Sequence, residues 1–437
     1  MQIAVVGARY VGLVTGTGFA EFGHAVTCVD VDHALVATLA RGDTPFYEPG
    51  LQDMIRRNVA RGRLRFTTEL AAAVAGADVV FIAVGTPSSP DGSTDLGDVR
   101  AAATQIGAAL TGFAVIVTKS TVPPGTTESI RALVAAATTH PFAIAANPEF
   151  LREGDALEDF LHPARIVIGA DEPRAVTTLV ELYRGLLGST ERIQTMDLRS
   201  AEVAKYAANA MLATRVSFMN ELAQLCEAIG ADVDQVRAVV GADPRIGAAY
   251  LAAGVGFGGS CLPKDLRALR HLADQVDVRV GVVDAAEQAN RRQQRWLGDQ
   301  LIARLGANVV GARVAVWGLA FKPETDDLRE APALVTIAQL QAAGAVVVAY
   351  DPVVTTRRDP ALGPPLELAV DPYQAATGAD ALALVTEWRE FLAPDLERLR
   401  AAMRSPVVFD GRNAWSPAVM RAAGFEYHGV GRRAPTA

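Results

Sequence analysis

Cysteine is scarce in this chain: three residues in 437, Cys28, Cys226 and Cys261, odd in number and far apart. Neither a disulfide framework nor a CxxC metal site can be assembled from them, and a reducing cytoplasm is the compartment expected. Long basic runs are absent as well. No block of lysine or arginine exceeds three, the net charge is -8 and the pI about 5.4, so no nucleic-acid or anionic-membrane surface is expected. No stretch reaches the roughly 18 uncharged apolar residues of a membrane span. Residues 1–20 are apolar enough to resemble a signal sequence, but Arg9 interrupts them and no basic start precedes them. There is no HExxH, GxSxG or P-loop, and the six histidines form no constellation, so hydrolase, metalloprotease and kinase chemistry lack their parts and no metal is expected. Small molecules remain as the expected partners.

What is present is apolar and periodic. Half of the residues are hydrophobic, and the length suits about three domains. Runs rich in Val, Ile and Ala at 3–6, 26–29, 79–84, 114–118, 142–145 and 165–168 alternate with helical stretches, the pattern of a parallel sheet covered on both faces. A stretch without proline or glycine from Ser200 to Ile229 predicts a spine helix of about 45 Å that stops at Gly230. The strand theme returns at 314–317 and 346–350. The fold expected is α/β: two Rossmann-like, doubly wound parallel-sheet domains (1–199 and 301–437) joined by an α-helical central domain (200–300) that carries the spine helix and a dimer surface. Residues from about Arg432 onward read as a loose tail.

The opening strand is followed by Gly7-Ala8-Arg9-Tyr10-Val11-Gly12, a helix, and a second strand that closes at Asp30. This is a dinucleotide-binding turn, and Asp30, 23 residues after Gly7, suits hydrogen bonds from the adenosine ribose hydroxyls, which favours NAD over NADP. Arg9 stands where the pattern has its second glycine, so weakened NAD binding is expected. Thr86 and Thr121 line the same crevice.

A second loaded segment is Gly256-Phe257-Gly258-Gly259-Ser260-Cys261-Leu262-Pro263-Lys264-Asp265. Small residues let a substrate approach the thiol, and Lys264 supplies a cation beside it. With a dinucleotide site, this predicts oxidation through a covalent thiol adduct. Lys205 and Asn209, four apart on the spine helix, share a face.

Six segments in order, YVGLVTG from Tyr10, STVPPGT from Ser120, NPEFLREG from Asn147, EVAKYAAN from Glu202, GFGGSCLPKD from Gly256 and FKPETDDLREA from Phe321, resemble the UDP-glucose/GDP-mannose dehydrogenase family over nearly the whole chain, and its UDP-glucose branch most closely. The resemblance implies oxidation of the sugar's C6 alcohol to a carboxylate with NAD as the cofactor, no metal, and UDP-glucose as the small-molecule partner of a cytoplasmic homodimer. It implies catalytic roles for Cys261, Lys205, Asp265, Thr121, Glu149 and Asn209. Cofactor contacts are implied for Gly7, Tyr10, Val11, Gly12, Asp30, Thr86, Thr121, Glu153, Lys264 and Arg329. For the substrate they are Glu149, Phe150, Leu151, Arg152, Lys205, Asn209, Tyr250, Leu251, Gly254, Gly258 and Lys322, with the C-terminal domain closing over the sugar nucleotide. Leu35 replaces a lysine frequent near the ribose. GDP-mannose oxidation and a nucleotide sensor without catalysis are the alternatives.

Overall fold

The computed structural model describes residues 1–355 and 366–432. The chain divides into two compact units, one of Met1–Ala208 with Arg267–Asp277, the other of Asn209–Leu266 with the chain from Val278 onward.

The first unit holds an eight-stranded sheet of β1 (Gln2–Val6), β2 (Ala25–Val29), β3 (Leu64–Thr67), β4 (Val79–Ile82), β5 (Ala114–Thr118), β6 (Phe142–Ala146), β7 (Ile166–Gly169) and β8 (Ile193–Met196) in the order 3-2-1-4-5-6-7-8. Successive residues of a strand face opposite sides, and both sides are covered: Val5, Phe81 and Val117 enter one apolar core while Ala4, Ile82 and Ile116 enter another. That is why the central strands read as unbroken apolar runs. The turns that matter follow β1, β4, β5 and β6, where ligands of open α/β sheets bind.

The expected parallel sheet holds for β1 to β6 and breaks at one junction, where β7 runs antiparallel to β6. A parallel return requires the connection to travel back along the sheet, about 17 Å for five residues. This connection has one helix, Ala156–Leu161, about 9 Å long, and its Phe160 is held edge-on against Phe19 at 5.2 Å. The chain therefore re-enters the sheet from the end at which it left.

The second unit has six parallel strands, β9 (Arg313–Trp317), β10 (Val346–Tyr350), β11 (Glu367–Leu368), β12 (Ala381–Leu384), β13 (Val407–Asp410) and β14 (Glu426–Gly429), ordered 11-10-9-12-13-14. Both sheets thus contain the 3-2-1-4-5-6 Rossmann order. The spine helix runs Leu198–Ile229, 32 residues, and the unit boundary falls within it. A second long helix, Gly281–Leu305, packs on its later half, where Ser217 Oγ donates to the Ala286 carbonyl at 2.7 Å and Gln224 donates to Gln293 at 2.9 Å. Arg432, expected in a loose tail, is instead anchored by Asp234 at 2.7 Å, the Trp415 carbonyl at 2.6 Å and the Tyr427 hydroxyl at 2.7 Å. The rest of that expected tail lies outside the described residues.

Candidate active site

In the first unit the cofactor turn is built as its glycines require. Gly7 has φ +99°, and a Cβ there would lie 2.5 Å from the Ala83 carbonyl oxygen. A Cβ on Gly12 would fall 1.8 Å from the carbonyl oxygen of Gly7. Arg9 is exposed, at φ -82° in extended backbone, so a side chain is accommodated without strain, and it caps no backbone N–H of the helix Tyr10–Glu21. Asp30 accepts the Ala8 N–H at 2.9 Å. Val11 and Leu35 are half-buried, as are Thr86 after β4 and Thr121 after β5. Tyr10 donates its hydroxyl to Glu48 at 2.6 Å, and burial with that carboxylate pushes its phenol far above the usual range.

The turn after β6 carries the unit's central ion pair. Glu149 and Lys205 are both buried, with Nζ 3.0 Å from Oε1. Burial alone would raise the Glu149 carboxyl. The Lys205 ammonium and the Leu151 N–H, which Oε2 accepts, outweigh it and hold the carboxyl below its ordinary value. The Phe150 ring lies under both Lys205 Nζ, at 5.4 Å, and the Arg165 guanidinium, at 3.7 Å. Arg152 forks onto Asp159 at 2.8 Å, and Glu153 is buried.

In the second unit Cys261 is placed where a loop becomes a helix: it immediately precedes Leu262–Gln275, and its carbonyl accepts the Asp265 N–H at 2.9 Å. The partial positive charge of a helix N-terminus is where a thiolate is stabilised. Sequence alone marked the loop but not this helix start. Lys264, expected beside the thiol, gives its ammonium to Asp265 Oδ1 at 2.7 Å, while Asn209 Nδ2 donates to Oδ2 at 2.6 Å. The Asp265 carboxylate, 1% exposed, is therefore held on both oxygens. The glycine loop is locked to the segment from Phe321. A Cβ on Gly258 would fall 2.2 Å from the Glu330 carbonyl oxygen, and Gly259 donates to the Arg329 carbonyl at 2.8 Å. The Arg329 guanidinium itself forks onto Asp327 at 2.8 Å, and Lys322 is half-buried. Tyr250 has φ +59°, Leu251 is buried in the unit's core, and Gly254 spends its N–H on Asn220 at 2.9 Å and its carbonyl on Gln293 at 2.7 Å.

A glycine turn stands at a helix start in one unit and a thiol at a helix start in the other, and comparison with known proteins gives the family. Domain models of the UDP-glucose/GDP-mannose dehydrogenase family match residues 1–187 (NAD binding domain), 199–292 (central domain) and 315–417 (UDP binding domain). The chain belongs to that family. It is 48% identical to a UDP-glucose 6-dehydrogenase of Pseudomonas aeruginosa, over 99% of this chain and 98% of that one. A UDP-glucose 6-dehydrogenase of Rhizobium meliloti is 46% identical over 99% of this chain and 100% of its own length. Among solved structures, a UDP-glucose dehydrogenase from Pyrobaculum islandicum superposes with a TM-score of 0.91 at 39% identity, covering 98% and 97% of the two chains.

As a UDP-glucose/GDP-mannose dehydrogenase family member the protein is an NAD-dependent oxidoreductase, and its first unit fits that cofactor. The Gly7 and Gly12 contacts bring the turn close against Ala83 and against itself, and first-turn N–H groups at such a helix start suit a pyrophosphate. Asp30 stands directly after β2, its carboxylate turned toward the glycine turn through the Ala8 N–H. Two residues of this site escaped the sequence reading. Glu48, buried, accepts the Tyr10 hydroxyl and the Gly154 N–H at 2.6 Å with one oxygen and the Ala156 N–H at 2.8 Å with the other, tying the cofactor turn to the Glu149–Glu153 loop. Lys119 is buried and donates to Asn147, just ahead of the same loop. The only signal for Glu48 was its place in Tyr-Glu-Pro-Gly, just before a helix.

Proposed function

We propose that the protein oxidises the C6 alcohol of UDP-glucose to the carboxylate of UDP-glucuronate, taking four electrons in two steps. The observation that carries this reading is Cys261 at a helix start beside the Lys264–Asp265–Asn209 cluster, in a chain whose nearly full-length relatives include UDP-glucose 6-dehydrogenases.

NAD, when bound, accepts the hydride that leaves C6 in each oxidation. Gly7, Tyr10, Val11, Gly12, Asp30, Thr86, Thr121 and Glu153 hold it, with Lys264 and Arg329 as further contacts. In the first oxidation a base removes the hydroxyl proton, work that Lys205 and Asp265 share with a water, while Thr121 and Asn209 orient the group. Glu149 keeps Lys205 in place and polarised. The resulting aldehyde is captured by Cys261: a C–S bond forms and the thiol's proton passes to the former carbonyl oxygen, giving a thiohemiacetal. Loss of a second proton and hydride leaves a thioester. Water activated near Asp265 or Glu149 then adds, the C–S bond breaks, and the carboxylate and thiol are released. Covalent capture prevents the aldehyde from escaping before the second oxidation. Phe150, Leu151, Arg152, Tyr250, Leu251, Gly254, Gly258 and Lys322 bind the sugar nucleotide.

The reading includes a three-domain organisation with boundaries near 199 and 300, a cytoplasmic location, and a homodimer through the spine helix. No helix among the described residues is long and apolar enough to cross a membrane. Support for the dimer is an apolar stripe at a spacing of seven, Met211, Phe218 and Leu225, extended by Ile229, all more than half exposed.

The test is NADH formation when purified protein and NAD are offered UDP-glucose or GDP-mannose separately. NADH from UDP-glucose, lost after iodoacetamide, supports the reading. Turnover of GDP-mannose alone favours the other substrate of the family's name, and binding of UDP-glucose without NADH at any NAD concentration overturns catalysis.

A further inference from the structure

Lys119 follows β5 and is 5% exposed, yet none of the chemistry above uses it. Its ammonium donates to Asn147 Oδ1 at 3.0 Å and to the Tyr183 hydroxyl at 3.3 Å, and that hydroxyl donates in turn to the same Asn147 oxygen. Asn147 is pinned on its other side, its Nδ2 lying 2.7 Å from the Val167 carbonyl. Both acceptors of the ammonium are neutral. A buried cation in such company is costly to keep charged, and burial pushes Lys119 down to about 8, with the Glu149 carboxylate opposing the shift and the Lys205 ammonium adding to it. The groups that act on its charge are therefore the two members of the site's ion pair, Glu149 from the turn after β6 and Lys205 from the spine helix. The third neighbour, Tyr183 from the helix Pro173–Leu187, stays a neutral phenol because burial raises it.

We propose that Lys119 is a positioning residue for the reaction: through Asn147 it fixes the turn that presents Glu149, and by its charge it sets the pH range in which Glu149 and Lys205 hold their working protonation states. The inference rests on the functional reading above. A positive charge lowers the pKa of every group around it, carboxyl and ammonium alike. Its removal raises both, so the activity profile moves to higher pH whichever member of the pair serves as acid or base.

The experiment is kcat/KM for UDP-glucose against pH in wild type, Lys119→Gln and Tyr183→Phe. Lys119→Gln keeps a hydrogen-bonding head and deletes the charge; both limbs are expected to move alkaline by about one unit. Tyr183→Phe removes one acceptor from the ammonium and moves the alkaline limb the same way by a smaller step. A folded Lys119→Gln protein with an unmoved profile overturns the proposal. Should that variant not fold, Tyr183→Phe decides: a displaced limb supports the proposal, and an unmoved one assigns Lys119 to folding alone. A wild type that makes no NADH from UDP-glucose instead fails the functional reading, and the same comparison is then made on the pH dependence of UDP-glucose binding by calorimetry.

Discussion

Glu149 shows what one buried residue is asked to do. Its carboxylate stays charged in a dry environment because Lys205 lies 3.0 Å away, the Leu151 N–H points at it and the Lys119 ammonium adds its charge. Replacing it in Glu149→Gln leaves the ammonium buried without its counter-charge, and a loss of about 3–5 kcal/mol is expected, measured by urea denaturation, together with loss of NADH formation. The pH dependence has a definite sign. A carboxyl held below its ordinary value of 4.5 contributes stability that is fully present above that value and is lost as pH falls through its folded value. The melting-temperature gap between wild type and Glu149→Gln is therefore constant near neutrality and narrows below about pH 4.5; a gap that widens in acid contradicts the assignment. Glu149, Lys205, Asp265 and Cys261 could be picked out from the chain because glycine, proline and acid–base residues cluster around them in segments that resemble a known family. Glu48 and Lys119 could not: each works through backbone groups or side chains from distant segments, Glu48 reaching Gly154 and Lys119 reaching Tyr183, and nothing in the local spacing announces that.

At the scale of elements, the spine helix is docked by a side chain whose part the sequence did not reveal. Glu202, buried in its second turn, accepts the N–H groups of Gly125 at 2.6 Å and Thr127 at 2.8 Å and the Thr127 hydroxyl at 2.6 Å, capping the helix Thr126–Ala137 across 75 residues of chain. Two of the segments that carried the family resemblance are thus one structural joint. Glu202→Ala strands those donors and is expected to cost about 1–3 kcal/mol, seen as a lower urea midpoint with an unchanged slope; an unaffected midpoint would mean that water replaces the carboxylate. In the first sheet the strands with long apolar runs were legible because both faces of the sheet are covered. Leu64–Thr67 and Ile193–Met196 were missed because they lie at the sheet's two edges, where short, partly polar strands suffice. The antiparallel β7 was not legible either, since direction is set by how far the preceding connection travels and not by the strand's own residues.

For the whole molecule, the two Rossmann sheets and the helices between them followed from the alternation of apolar runs and helical stretches, whereas the long helix Gly281–Leu305 did not, because its charged residues obscure the apolar face that carries Trp296, Leu297 and Leu301. The stripe at Met211, Phe218 and Leu225 makes assembly testable. Phe218→Glu combined with Leu225→Glu is expected to convert a dimer to a monomer by light scattering, and a wild type that is already monomeric removes the dimer from the account. The central claim is that a single thiol retains the sugar through two oxidations. Its most direct test is the count of NADH formed per UDP-glucose consumed, in wild type and in Cys261→Ser. Two per sugar in wild type, with turnover collapsing in the variant, is the result predicted; one per sugar, or an undiminished two in Cys261→Ser, would contradict it.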